Sequence, residues 1–127
     1  MSARNDSGSP QIVPVTDELV TAFWGAPRYN TMRGLAAVKD GHPICIAGIY
    51  FDGDKMCAFA DIREEMRKFR KTGVRMGHEL AAMMTALGTD VYALADKACP
   101  NADLFLIHLG FERALPETNP ELFVWRT

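Results

Sequence analysis

Cysteine is scarce in this chain and badly spaced for either of its structural uses. Cys45, Cys57 and Cys99 are odd in number and contain no C-x-x-C pair, which argues against a disulfide framework and against a zinc site. They read as small buried hydrophobes. With Asp52-Gly53-Asp54 as a turn, Cys45 would lie opposite Ala60 or Asp61, not opposite Cys57. The histidines, His42, His78 and His108, are too scattered to form a metal cluster, so no metal is expected. No apolar run approaches the roughly 20 residues that a bilayer-spanning helix needs, and no membrane partner is expected. Positive charge is not in excess either. The formal net charge is -2, whereas a general nucleic-acid binder carries a basic surplus. Met1 to Pro10 lacks the apolar stretch of a secretory signal and reads as a disordered polar segment. The expected location is therefore the cytoplasm. No internal repeat is visible.

What the chain does have is material for a core. It holds 127 residues, 48% of them hydrophobic, which suits one domain over residues 11–127 that folds without staples. Gln11–Val15 reads as a strand. Thr16 then caps a helix with Asp17 and Glu18 in its first turn, where acidic residues suit the dipole. Gly25-Ala26-Pro27 breaks that helix near Trp24. Three strand candidates follow, Arg33–Lys39, Ile44–Phe51 and Lys55–Ile62, joined by Asp40-Gly41 and Asp52-Gly53. Asp-Gly between apolar runs is a strong hairpin signal, so these strands form an antiparallel meander. The middle run, ICIAGIYF, is apolar on both parities and predicts cover on both faces of the sheet.

After a charged linker, Arg63–Lys71, the spacing of Met76, Leu80, Met83, Met84 and Leu87 predicts a helix from about Gly73 to Leu87. Gly88 closes it. Val91–Ala95 is the next strand, which completes a βαβ crossover with parallel strands. Asn101 caps a further helix, Ala102 to about Leu109, that ends at Gly110. Phe111–Leu115 and Leu122–Arg126 are closing strands.

Two stretches carry a resemblance. Arg70-Lys71-Thr72-Gly73-Val74-Arg75-Met76-Gly77, opening an amphipathic helix, is similar to the acyl-CoA signature R/Q-x-x-G-x-G/A of the GNAT superfamily of N-acetyltransferases. Asn101 through Glu112, with Gly110-Phe111 near its end, is similar to that family's penultimate helix. The order of elements matches over about Gln11 to Arg126. The resemblance implies an α/β (α+β) fold with a mixed sheet, splayed between the fourth and fifth strands, and helices on both faces. It implies acetyl-CoA as cosubstrate, with its pantetheine arm beside Phe59, Ala60 and Ile62. Its pyrophosphate would sit near Arg70, Lys71, Thr72, Gly73, Val74, Arg75 and Gly77, and Asn101 is also expected to bind the cofactor. An amine acceptor would enter from the other side. Two residues depart from the pattern. Arg75 stands where the family has Gly or Ala, and Leu106 stands where many members carry a tyrosine that protonates the leaving thiolate. Leucine cannot donate a proton.

The residues also have readings of their own. Arg63, Arg67, Lys68, Arg70, Lys71 and Arg75 cluster around a helix N-terminus, where the dipole disfavours cations. They are either a solvated charge run or part of an anion site built with free N–H groups. Asp61 and Asp96 end successive parallel strands, where open sheets place ligands. Each is either a general base, a binder of a cationic acceptor, or a cap on loop backbone. His108 could supply the missing acid, or be a surface histidine. Tyr92 reads as core. Trp24 and Trp125 read as packing or interface residues, and a homodimer is expected, since small domains of the family pair through their C-terminal strands and Phe123 and Trp125 share one face here. Two functions follow: an acyl-CoA-dependent N-acyltransferase, or a catalytically degenerate binding module on the same fold.

Overall fold

The computed structural model describes residues 8–27, 32–95 and 102–126. These form a seven-stranded mixed sheet with three α-helices. In chain order the elements are β1 (Gln11–Pro14), α1 (Asp17–Trp24), β2 (Met32–Lys39), β3 (His42–Asp52) and β4 (Lys55–Ile62). A short 3-10 helix (Glu64–Lys68) follows, then α2 (Arg70–Leu87), β5 (Val91–Leu94), α3 (Ala102–Leu109), β6 (Glu112–Leu115) and β7 (Asn119–Trp125). The strands lie in the order β1-β2-β3-β4-β5-β7-β6. All neighbours are antiparallel except β4 and β5, which α2 links as a parallel pair.

β3 is the spine of the sheet. Its residues Pro43–Ile49 are buried in unbroken succession, because each face has its own cover. On one face Ile46 packs with Phe23 and Ala36 beneath α1. On the other, Cys45, Ala47 and Ile49 share a core with Met76, Leu80 and Met84 of α2. α1 is capped as the sequence predicts, the Leu19 N–H donating to the Thr16 hydroxyl at 3.2 Å. α2 ends at Gly88, whose φ of 69° lies in the left-handed region that favours glycine.

Three expectations need correction. The turn between β3 and β4 is the two-residue Gly53-Asp54, because Asp52 still pairs with Lys55. Cys45 therefore sits opposite Ile62, and Cys57 opposite Tyr50. The linker after β4 is not featureless. Met66 is buried and Phe69 half-buried, and this i, i+3 apolar pair anchors the 3-10 helix within the charged run. Consequently α2 begins at Arg70, one turn earlier than the methionine pattern suggests, and Gly73 already donates its N–H to the Phe69 carbonyl.

At the far end of the sheet, Phe123 is fully buried. Trp125 packs edge-on against Phe111 at 5.8 Å and lies over Gly110, where an added Cβ would come 2.9 Å from the ring. Phe123 is thus covered by the chain itself, whereas Trp125 stays half-buried. Among the described residues no helix is long and apolar enough to cross a membrane.

Candidate functional site

The β4–β5 ladder is short. It consists of Met56 with Val91 and Cys57 with Tyr92. Beyond it lies a cavity of about 600 Å³, within the range of small-molecule sites. The cavity is lined by every residue from Ala58 to Ile62, and by Ala93, Leu94 and Ala95 from the facing strand. Successive strand residues point to opposite faces, so a cavity lined by five in a row runs along the edge of β4. Alanine at 58, 60, 93 and 95 keeps that space open.

Strand register then fixes which backbone groups face the cavity. The Arg63 N–H donates to the Ile44 carbonyl at 2.9 Å. In the antiparallel β3–β4 pair, Arg63, Asp61 and Phe59 therefore turn their backbone groups toward β3. Ala60 and Ile62 turn theirs the other way. Since the ladder with β5 stops at Cys57, the N–H and C=O of Ala60 and Ile62 face the cavity with no strand opposite among the described residues. Of the strand residues expected at a ligand, Ala60 and Ile62 offer backbone groups and Phe59 offers only its ring.

The cavity continues to the start of α2, where Arg67, Arg70 and Gly73 line it. The first helical turn leaves the N–H groups of Arg70, Lys71 and Thr72 without intrahelical carbonyls. An added Cβ at Gly73 would meet nothing within 4 Å, so no neighbour among the described residues explains a glycine there. Gly77 differs. A Cβ there would come 2.8 Å from Leu109 Cδ2, so its small size serves the close packing of α2 on α3. Gly77, Val74 and Arg75 all lie past the free amides. Arg75 and Val74 are exposed and do not line the cavity, so Arg75 does not plug it. Lys71 is exposed, and Thr72 is buried beneath the helix.

α3 presents Ala102, Phe105, Leu106 and Leu109 to the cavity, a stripe at helical spacing. His108 falls off that stripe and is exposed, so the structure does not bring it to the other candidates. Leu106 is on the stripe. Asp96 and Asn101, like Cys99, lie outside the described residues.

Asp61 is held from the α1 side. Its Oδ2 accepts a hydrogen bond from Trp24 Nε1 at 2.6 Å. Trp24 leans on Phe59 (centroids 6.0 Å apart), which in turn meets Tyr50 (5.8 Å). Next to them, the Arg63 guanidinium donates to the Phe23 carbonyl and stacks 4.4 Å over the Phe23 ring. No sequence pattern linked Trp24 to Asp61, because the two lie 37 residues apart and only the sheet joins them. The nearby Cys45 thiol is pushed up to about 12, first by burial and then by the Asp61 charge. It is not a nucleophile near neutral pH. Among the described residues no group of His, Cys, Asp and Glu could hold a metal ion. No protein-family model, no curated protein and no solved structure matches this chain.

Proposed function

We propose that the cavity binds an acyl-CoA and that the protein transfers its acyl group to a primary amine, as a short member of the GNAT superfamily would. The observation that carries this reading is the shape of the cavity. It is a channel along the free edge of β4 that ends at the first turn of α2. An extended pantetheine arm carries amide groups, and Ala60 and Ile62 offer N–H and C=O groups at strand spacing to meet them. In this reading the short β4–β5 ladder marks the split that the resemblance implies. The arm would lie between alanines, with Leu94 and Phe105 over it.

A pyrophosphate at the end of the channel would meet the free amides of α2, and Arg67 and Arg70 add charge. A Cβ at residue 73 would project into open space where the phosphates approach. The acyl-CoA supplies an activated thioester: its C–S bond breaks as the amide C–N bond forms, and the amine loses a proton. The chain's part is mainly positioning. The β4 amides that face the channel can polarise the thioester carbonyl. Asp61, fixed by Trp24, can receive the proton directly or through water.

Leu106 favours a second reading, in which the same cavity binds its ligand without turning it over. It occupies the α3 stripe where a proton donor to the departing thiolate would stand. Incubation with acetyl-CoA and a panel of primary amines separates the two. Release of free thiol together with an acetylated amine, found by mass, supports the transferase. Saturable binding with no thiol release above the buffer rate supports the binding module.

A further inference from the structure

The cavity is charged at one end and apolar at the other. Arg67 and Arg70 line it at the start of α2. At the far end its wall is Ala58 and Ala93 from the sheet, Leu80 from α2 and Phe111 from the start of the closing strands. All four are buried and belong to one core cluster. Gly73 and Leu80 both line the cavity and lie seven residues apart in α2, on one face of the helix. At about 1.5 Å per residue the cavity therefore extends about 10 Å along α2. Ile62, Leu94 and Phe105 line the same space and are exposed to solvent. An apolar chain laid against them would remove that surface from water.

The charged end selects the sign of a head group. Arg67 is exposed and meets Glu64 at 3.8 Å, a surface pair that contributes little and leaves the side chain able to turn to a ligand. Arg63 is held on the α1 side by the Phe23 carbonyl and ring, and Asp61 is held from that side by Trp24 Nε1 at 2.6 Å. A guanidinium receives a carboxylate through parallel charge-assisted hydrogen bonds. Each carbon–carbon bond of about 1.5 Å advances an extended chain by somewhat less than its length, so about eight carbons cover 10 Å. We propose that the cavity also takes a single-chain carboxylate of about this length, with its head at Arg67 and Arg70 and its chain toward Leu80 and Phe111, and that acyl-CoA is excluded while it is bound. The exclusion rests on the acyl-CoA reading, but the carboxylate site stands on the cavity itself.

Calorimetric titration of the intact chain with sodium octanoate, below its micelle concentration, tests it. One octanoate should bind per chain, and octan-1-ol and acetate should each bind about tenfold more weakly or worse. From butanoate to octanoate the affinity should rise about fourfold per methylene, and it should level off by dodecanoate. Arg67→Gln combined with Arg70→Gln should lower octanoate to the affinity of octan-1-ol and leave octan-1-ol within about twofold of the parent. Saturating acetyl-CoA should block octanoate. Equal affinity for octanoate and octan-1-ol in the parent, or no gain with chain length, overturns the inference even if acetyl-CoA binds. Simultaneous binding of octanoate and acetyl-CoA overturns the exclusion. Octanoate binding without any acetyl-CoA binding sustains the carboxylate site and removes the acyl-CoA reading instead.

Discussion

Two glycines in α2 have different reasons to be glycine, and substitution should separate them. Among the described residues nothing lies within 4 Å of a Cβ added at Gly73, while one added at Gly77 would meet Leu109 at 2.8 Å. Alanine at 73 should raise stability by about 0.5–1 kcal/mol, the usual gain from glycine in a helix, and weaken acetyl-CoA binding several-fold. Alanine at 77 must displace the Leu109 side chain, which offsets the helix gain and leaves stability within about 0.5 kcal/mol of the parent, with acetyl-CoA affinity changed only through the repacked Leu109. Chemical unfolding and calorimetry on both variants check the contrast. Cys45 gives a second test at this scale. Its folded thiol is held protonated up to about 12, against 9.0 ordinarily. Between those values the unfolded chain has lost a proton that the native chain keeps. Stability therefore is intact below about pH 9 and falls as pH rises through that window. Cys45→Ala should show a shallower fall in melting temperature across the same range, and an unchanged slope would assign the alkaline loss to other groups.

The elements differ in how openly the sequence declares them. β2, β3 and β4 are legible because Asp-Gly turns punctuate apolar runs, and α1 because Thr16 with Asp17 and Glu18 marks its start. The start of α2 is hidden. Its first turn, Arg70-Lys71-Thr72, carries none of the methionine stripe and includes a β-branched threonine, and its boundary is set by Met66 and Phe69 packing one turn upstream. That Phe59, Ala60 and Ile62 share one strand was legible, and all three line the cavity, but which of them turn backbone groups to it was not. That depends on register, and register here depends on whether the turn has two residues or three. This yields a prediction about β4. Proline at 60 removes an N–H that faces the cavity and leaves the β3 ladder intact. Ala60→Pro should retain the circular dichroism spectrum of the parent and lose acetyl-CoA binding at least tenfold. Full affinity in a folded variant would show that the edge amide is not used.

At the scale of the molecule, a mixed sheet with helices on both faces was readable from the doubly apolar β3 and the single crossover at α2. What no local pattern could supply is the pairing of distant parts. The Trp24–Asp61 contact, the packing of Trp125 on Phe111 and Gly110, and the displacement of His108 from the cavity all arise from tertiary packing. The cavity is the point where these levels meet, with a free strand edge, a helix start, three arginines and one oriented carboxylate on its walls. The central claim is that this cavity is an acyl-CoA site, and calorimetric titration of the intact chain with acetyl-CoA tests it most directly. The account predicts one saturable site per chain. A parallel melt should give a stabilisation that approaches about 2.7 kcal/mol once the ligand reaches a hundred times its Kd. Charge reversal at Arg70 and Lys71 should abolish both signals in a variant that still folds. No binding heat and no change in melting temperature at millimolar acetyl-CoA would contradict the account.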